Sequence, residues 1–298
     1  MSRIQNWLKG FVIKGGVLQK YKGKKRKVTI PREVTEIGAF AFLAQDFLTE
    51  IVIPDGVKKI GGKAFNGCSS LTSVTIPDSV TEIGEMAFKA CPSLADEDGF
   101  VIVRGVVYGY YGDEKTVTIP EGVSAIGGSI FWLHTALTAV IIPDGVSQIG
   151  GSAFCNCTRL TTIAMPESVI EIGDYSFAGC KSLHSVTIPS KAKLGNNVFE
   201  NCESLRSVVI ADGAAQINQW AFCNCSALTD VCIPDSVTTI GAGAFAGCSS
   251  LENIYIPDSV THIGLGAFAE CKKLMLHGSA GSYAESYARV MHIPFVAE

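Results

Sequence analysis
The chain reads as a mostly β solenoid of ten coils, each about 23 residues long, with parallel strand ladders. Three observations predict it. Prolines fall at 31, 54, 77, 120, 143, 166, 189, 234 and 257, mostly 23 residues apart. Phe fills one slot in all ten units (42, 65, 88, 131, 154, 177, 199, 222, 245, 268), and Leu fills another (48, 71, 94, 137, 160, 183, 205, 228, 251, 274). A 22-residue segment, Gly99 to Pro120, aligns without gaps to Gly10 to Pro31 with 12 identities. Strict self-similarity of this period is the mark of a repeat architecture whose units cannot bury their apolar faces alone. It overrides the two-domain expectation that 298 residues would otherwise carry.

The elements follow in chain order. Residues 1–27 form an N-terminal cap hairpin: two apolar runs and a Tyr-x-Gly turn that lead into the first coil. Residues 28–95 hold repeats 1–3, and residues 96–116 are the second copy of the hairpin, inserted as a junction. Residues 117–274 hold repeats 4–10, and 275–298 form a C-terminal cap, the whole read as one continuous solenoid. In the cap, Ser282-Tyr-Ala-Glu285 fits a capping box, the helix runs from Tyr283 to about Met291, and Pro294 stops it.

Within a unit such as Leu71 to Cys91, Val74 and Ile76 alternate with Ser73 and Thr75, as in a strand with one buried face. Pro77-Asp78-Ser79 turns the chain, with the Asp or Ser side chain bonding the local backbone. Val80 to Gly84 is a second short strand whose glycine admits positive φ. Ala87-Phe88-x-x-Cys91 makes a tight, helical turn that drops the Phe into the centre.

Units of the form LxxVxIPDSVTxIGxxAFxxC, with the closing GSYAESYA…IPF segment, resemble the bacterial BspA-like class of leucine-rich repeats over roughly residues 10–298. The resemblance implies a right-handed, curved leucine-rich-repeat solenoid without catalytic activity. It also implies roles in protein–protein contact or adhesion, often at the cell surface. Departures are local: Asn218 stands for the repeat Gly, Ala211 for the Pro, and Gln45 and His134 for the ladder Cys.

Composition excludes several function classes. Hydrophobic residues make up 47% and charged residues 17%, with mean hydropathy +0.30. Disorder is therefore excluded. Gly and Pro interrupt every apolar run, the longest of which (Phe100 to Tyr111) contains Arg104, so no transmembrane helix is expected. A net charge of −4 argues against nucleic acid as a partner. Residues 1–32 carry ten basic side chains (Arg3, Lys9, Lys14, Lys20, Lys22, Lys24, Lys25, Arg26, Lys27, Arg32) and no acid, leaving −14 on the rest. Such an end can steer anionic surfaces, although most of it fits a solvated hairpin turn. Residues 1–20 show no hydrophobic leader core, so the chain as written reads as cytoplasmic, or as a surface or secreted protein if trimmed.

Candidate chemistry is sparse. Eight cysteines (68, 91, 157, 180, 202, 225, 248, 271) stand three places after the Phe and read as a buried thiol ladder. An odd total of 11 in single file does not make a disulfide framework. Cys155-Asn-Cys157 and Cys223-Asn-Cys225 lack the spacing of structural zinc sites, and one Cys of each pair belongs to the ladder. Gly241-Ala-Gly243-Ala-Phe-Ala246 is repeat-derived, and the five histidines share no column. No catalytic residue, cofactor or metal is expected. An acidic column follows the prolines (Asp55, Asp78, Glu121, Asp144, Glu167, Asp212, Asp235, Asp258) and reads as turn chemistry on a solvated rim.

The candidate partner-binding residues lie two before each Pro, where strand geometry points them outward: Val52, Thr75, Thr118, Ile141, Ala164, Thr187, Val209 and Tyr255, with Thr29 and Cys232 in the same column. Six of these ten are apolar or aromatic, and exposed apolar area marks interaction surfaces. The expected partner is another protein, of the host or the cell surface, met by a monomer without membrane insertion.

Overall fold
The computed structural model describes residues 10–298, folded mostly as short parallel β-strands in two compact units, one ending at Gly112 and one beginning at Asp113. Both units are solenoids. Arg3 and Lys9 of the basic run, and the first part of the leader and cap-hairpin readings, lie outside the described residues.

The first unit opens on an antiparallel hairpin, Phe11–Lys14 against Val17–Tyr21, with a register shift between Val12 and Ile13. Its second strand pairs in parallel with Glu36–Ile37, so the hairpin presents a ready edge to the first coil. Tyr21 continues the Phe column, stacking at 5.1 Å on Phe42, which is followed by Phe65 and Phe88 at 5.0 and 5.2 Å. At the far end a second hairpin, Phe100–Val103 and Val106–Tyr110, sets Tyr108 edge-on against Phe88 at 5.5 Å. The Tyr-x-Gly signature has a steric cause: any Cβ at Gly23 or Gly112 would overlap the hydroxyl of Tyr21 or Tyr110, which folds back over it.

The second unit repeats the same coil seven times. Its Phe rings, from Phe131 to Phe268, stack face to face at 5.0–5.5 Å, and helix α1 (Tyr283–Met291) closes the column with Tyr287 at 6.1 Å. Ser282 Oγ accepts from Glu285 N–H, while the Glu285 carboxylate takes the Gly281 N–H one residue before the cap. His292 then turns left-handed and the helix ends. All ten repeat Phe are buried, each burial stabilising by roughly 1.5–3 kcal/mol. The repeat Leu are buried too, save Leu94, which a 3-10 turn (Pro92–Leu94) leaves half exposed.

Each coil has three sides, and within each unit hydrogen bonds join coils along all three. In the second unit the strand ladders are interrupted between Ala164 and Ser185, Leu194 and Gln216, and Cys232 and Asn253. Strands such as Lys27–Thr29, Glu50–Val52 and Ser73–Thr75 form one ladder, in register at Val28, Ile51 and Val74. Two-residue strands such as Glu36–Ile37, Lys59–Ile60 and Glu82–Ile83 form the second. The third side is the turn, and the expected helix is absent there. Two residues per turn are left-handed: the one two places after the repeat Gly (φ 55–63° in all ten coils) and the one six places after it (φ 55–77°). Left-handed residues break a right-handed helix. Instead each turn is a chain of tight i→i+3 bonds (Ala87 N–H to Gly84 O, Cys68 N–H to Phe65 O). Its remaining N–H groups donate across coils: Lys63, Phe65 and Gly67 to the carbonyls of Glu85, Ala87 and Lys89, at 2.8–2.9 Å.

Two further expectations change. The repeat glycine does not have positive φ. A Cβ at Gly150 or Gly173 would instead lie 2.6 Å from the backbone nitrogen of Gly128 or Gly151 in the preceding coil, so close approach requires it. Asn218 occupies that slot in one coil, donating from Nδ2 to Leu194 O at 2.6 Å and leaving its buried Oδ1 unpartnered. The turn serines likewise reach across coils: Ser79 accepts from Gly56 N–H and donates to Val57 O, and Ser168 does the same with Gly145 and Val146.

The thiol ladder is a hydrogen-bonded one. Each of the eight column cysteines donates Sγ–H to the carbonyl of the Phe in the preceding coil, at 3.0–3.3 Å. Burial pushes their pKa values up, to about 12 at Cys68 and Cys157 and about 11 at Cys91 and Cys271. They are held as neutral thiols.

Candidate binding surfaces
Two surfaces are exposed in register on these coils. The first is the outward row of the longer strands. In the first unit Thr29 and Thr75 are exposed and Val52 is half-buried. In the second unit Thr118, Ile141, Ala164, Thr187, Val209, Cys232 and Tyr255 are all exposed, with Ile141 at 53% and Tyr255 at 45%. Parallel pairing places these side chains directly beside one another: Thr118 by Ile141 by Ala164, and Thr187 by Val209 by Cys232. Tyr255 pairs with His277, whose ring is held between the Asn253 and Glu298 side chains. The neighbouring outward positions beside Ile141, Ala164, Thr187 and Val209 (Ala139, Thr162, Ser185, Ser207) are short, whereas Asp230 and Asn253 flank Cys232 and Tyr255.

The acidic column lies exposed on the rim beyond the prolines. Several of its members serve the turns: Asp78 pairs with Arg104, Glu167 accepts from Ser190, and Asp258 accepts from Ser279. In the basic segment Lys27 pairs with Glu50 at 2.7 Å.

The second surface was not anticipated from sequence. On the turn side, Phe40 and Leu43 of the first unit are 50% and 44% exposed, and in the second unit Trp132, Leu133, Tyr175 and Trp220 are each 42–53% exposed. Phe40, Tyr175 and Trp220 occupy the first left-handed slot, which the other coils fill with Lys63, Met86, Ser129, Ser152, Asn197, Gly243 or Gly266. A bulky residue there is an outlier. The signal was available as an aromatic in a slot that the repeat itself leaves variable. Cys155 and Cys223, the extra cysteines of the two Cys-x-Cys pairs, sit on this side, and burial raises both thiols.

The family described as "BspA type Leucine rich repeat region" matches in six copies over residues 20–97, 108–228 and 192–276. No curated protein matches the sequence. Among solved structures, the chain is similar to a leucine rich cell surface protein from Faecalibacterium prausnitzii A2-165 (27% identity, 93% of this chain and 94% of that one, TM-score 0.42). A leucine-rich repeat protein from Bacteroides ovatus is similar at 24% identity (97% of each chain, TM-score 0.39). The pneumococcal vaccine antigen PcpA is similar at 18% (92% of this chain, 79% of that one, TM-score 0.46). With the repeat profile spanning most of its length, the chain belongs to the BspA-type leucine-rich repeat family.

Proposed function
We propose that this protein is a non-catalytic scaffold that holds a protein partner on the outward face of its longer strands. The repeat family points to protein interaction or adhesion, and one observation supports the finer reading. In the second unit Ile141, Ala164, Val209, Cys232 and Tyr255 present apolar side chains to solvent at rung spacing, on a row whose backbone is fixed by ladder hydrogen bonds. Exposed apolar area on a rigid surface loses little conformational entropy on binding. The strands' core-facing residues do not depend on these side chains, so folding and capture are separable.

The test is capture. The purified chain retains a partner from native or host extract, identified by mass spectrometry. Ile141→Asp combined with Tyr255→Ala abolishes retention while the circular dichroism spectrum and thermal midpoint are kept. Retention by that variant overturns the reading. The alternative, an adhesin for host glycoprotein or glycan, draws on the adhesion role of the family and is favoured if the retained species is a surface glycoconjugate.

A further inference from the structure
From the turn side of the second unit we infer a neutral-oligosaccharide site between Tyr175 and Trp220, separate from the strand face. The two residues occupy the same repeat slot two rungs apart, about 10 Å at strand spacing, with Asn197 in that slot between them. Together with Asp174, Glu200 and Gln219 they line a cleft of about 520 Å³.

Exposure argues that the rings are there for a ligand. The left-handed slot is common to all ten coils, yet only here do two aromatic side chains fill it two rungs apart, both over 40% exposed and bordering one cleft. The next coil makes room for the indole: a Cβ at Gly243 would overlap its six-membered ring. Trp220 is thereby laid over backbone, one side supported and the other open.

The polar lining selects the occupant. Asn197 Nδ2 donates to Glu200 Oε2 at 2.9 Å, and Asn196 N–H donates to Asp174 Oδ1 at 2.7 Å, so both carboxylates are oriented by the protein itself. No Lys, Arg or His lines the cleft, and two carboxylates repel an anionic ligand. Three amide side chains (Asn196, Asn197, Gln219) offer donors as well as acceptors. A cationic side chain would use only the acceptors and prefers rings that enclose it. A pyranose ring uses all of them: its C–H face stacks on an open aromatic platform, and its hydroxyls both give and accept hydrogen bonds. Two platforms with a polar floor between them suit a chain of such rings.

The test is an array of neutral hexose and N-acetylhexosamine oligosaccharides, with sialylated and sulfated glycans and a Lys/Arg-rich peptide alongside, followed by calorimetry on any glycan held. The expected result is binding of a neutral oligosaccharide. Trp220→Ala and Tyr175→Ala should each weaken it roughly tenfold or more, as for a stacking residue at a binding centre. Trp220→Gly should weaken it equally with an unchanged or higher thermal midpoint, which separates binding from folding. Ile141→Asp with Tyr255→Ala should leave it intact, so this site and the strand-face reading fail independently. No neutral glycan held, affinity unmoved by loss of both rings, or preference for the basic peptide would each overturn the assignment.

Discussion
Replacing Phe199 with Ala probes how the second unit is held together. Phe199 is fully buried between Phe177 and Phe222, with ring centroids 5.3 and 5.5 Å away and planes within 7° and 2°. Its burial accounts for roughly 1.5–3 kcal/mol, and each of two stacking faces adds about 0.5–1.5 kcal/mol. A loss near 4 kcal/mol follows, inside the 3–5 kcal/mol range for Phe→Ala in cores. The terminal ring Phe268 is a built-in comparison, because it stacks on Phe245 alone and meets Tyr287 edge-on at 6.1 Å. Phe268→Ala should cost no more than Phe199→Ala, since its edge-on neighbour is of comparable worth to a stacked one. Urea unfolding followed by circular dichroism measures both. With a slope of about 3 kcal/mol per molar urea, the Phe199 variant shifts the midpoint by more than ~1 M. Losses under about 1 kcal/mol in both variants, or a larger loss at Phe268 than at Phe199, would refute nearest-neighbour stacking as the source of stability.

Other outcomes follow from the same coils. The eight ladder thiols stay neutral in the folded chain while unfolded thiols ionise near pH 8.5. Their stabilisation is complete below that pH and is lost as pH rises, by about 1.4 kcal/mol per pH unit per thiol, until the folded values are reached, near 11–12 at Cys68, Cys91, Cys157 and Cys271. Urea midpoints at pH 7, 9 and 10.5 should fall steeply above pH 9, and a flat profile would contradict it. Gly173→Ala should destabilise by about 1–3 kcal/mol, since its Cβ meets a backbone nitrogen that cannot yield. Asn218→Gly should stabilise by about 1 kcal/mol by removing an unpartnered buried oxygen; thermal midpoints moving the other way would sink this account of the glycine column. Native alkylation should label exposed Cys232 well before any ladder cysteine, read by peptide mass spectrometry.

What could be read from sequence was whatever the repeat states by identity. The Phe, Leu and Cys columns, the duplicated hairpin and the Ser282 cap all depend on residue type at a fixed slot. What could not be read depends on how coils meet. The Ala-Phe-x-x-Cys spacing suits a helical turn, yet two left-handed residues per turn exclude one. A hint lay in the second of those slots, where six coils carry Gly or Asn (Gly67, Asn156, Gly179, Asn201, Asn224, Gly247), the residues that tolerate that conformation best. The repeat glycine was assigned to positive φ when its cause is the neighbouring coil's backbone, a contact 22 residues away at Gly150 and Gly173 that no local rule reports. The strand-face candidates follow from period-2 alternation alone, and all but Val52 stand exposed. Tyr175 and Trp220 escaped because they break the repeat instead of following it.

Amide hydrogen exchange on the native chain tests most directly whether the turn side joins coil to coil as the strand ladders do. Peptides spanning 63–67, 152–156 and 175–179 contain the turn amides that donate across coils at 2.7–3.0 Å. They should exchange as slowly as the strand peptides beside them, although they belong to neither helix nor strand. Exchange of those amides at the rate of an unprotected loop would contradict the account.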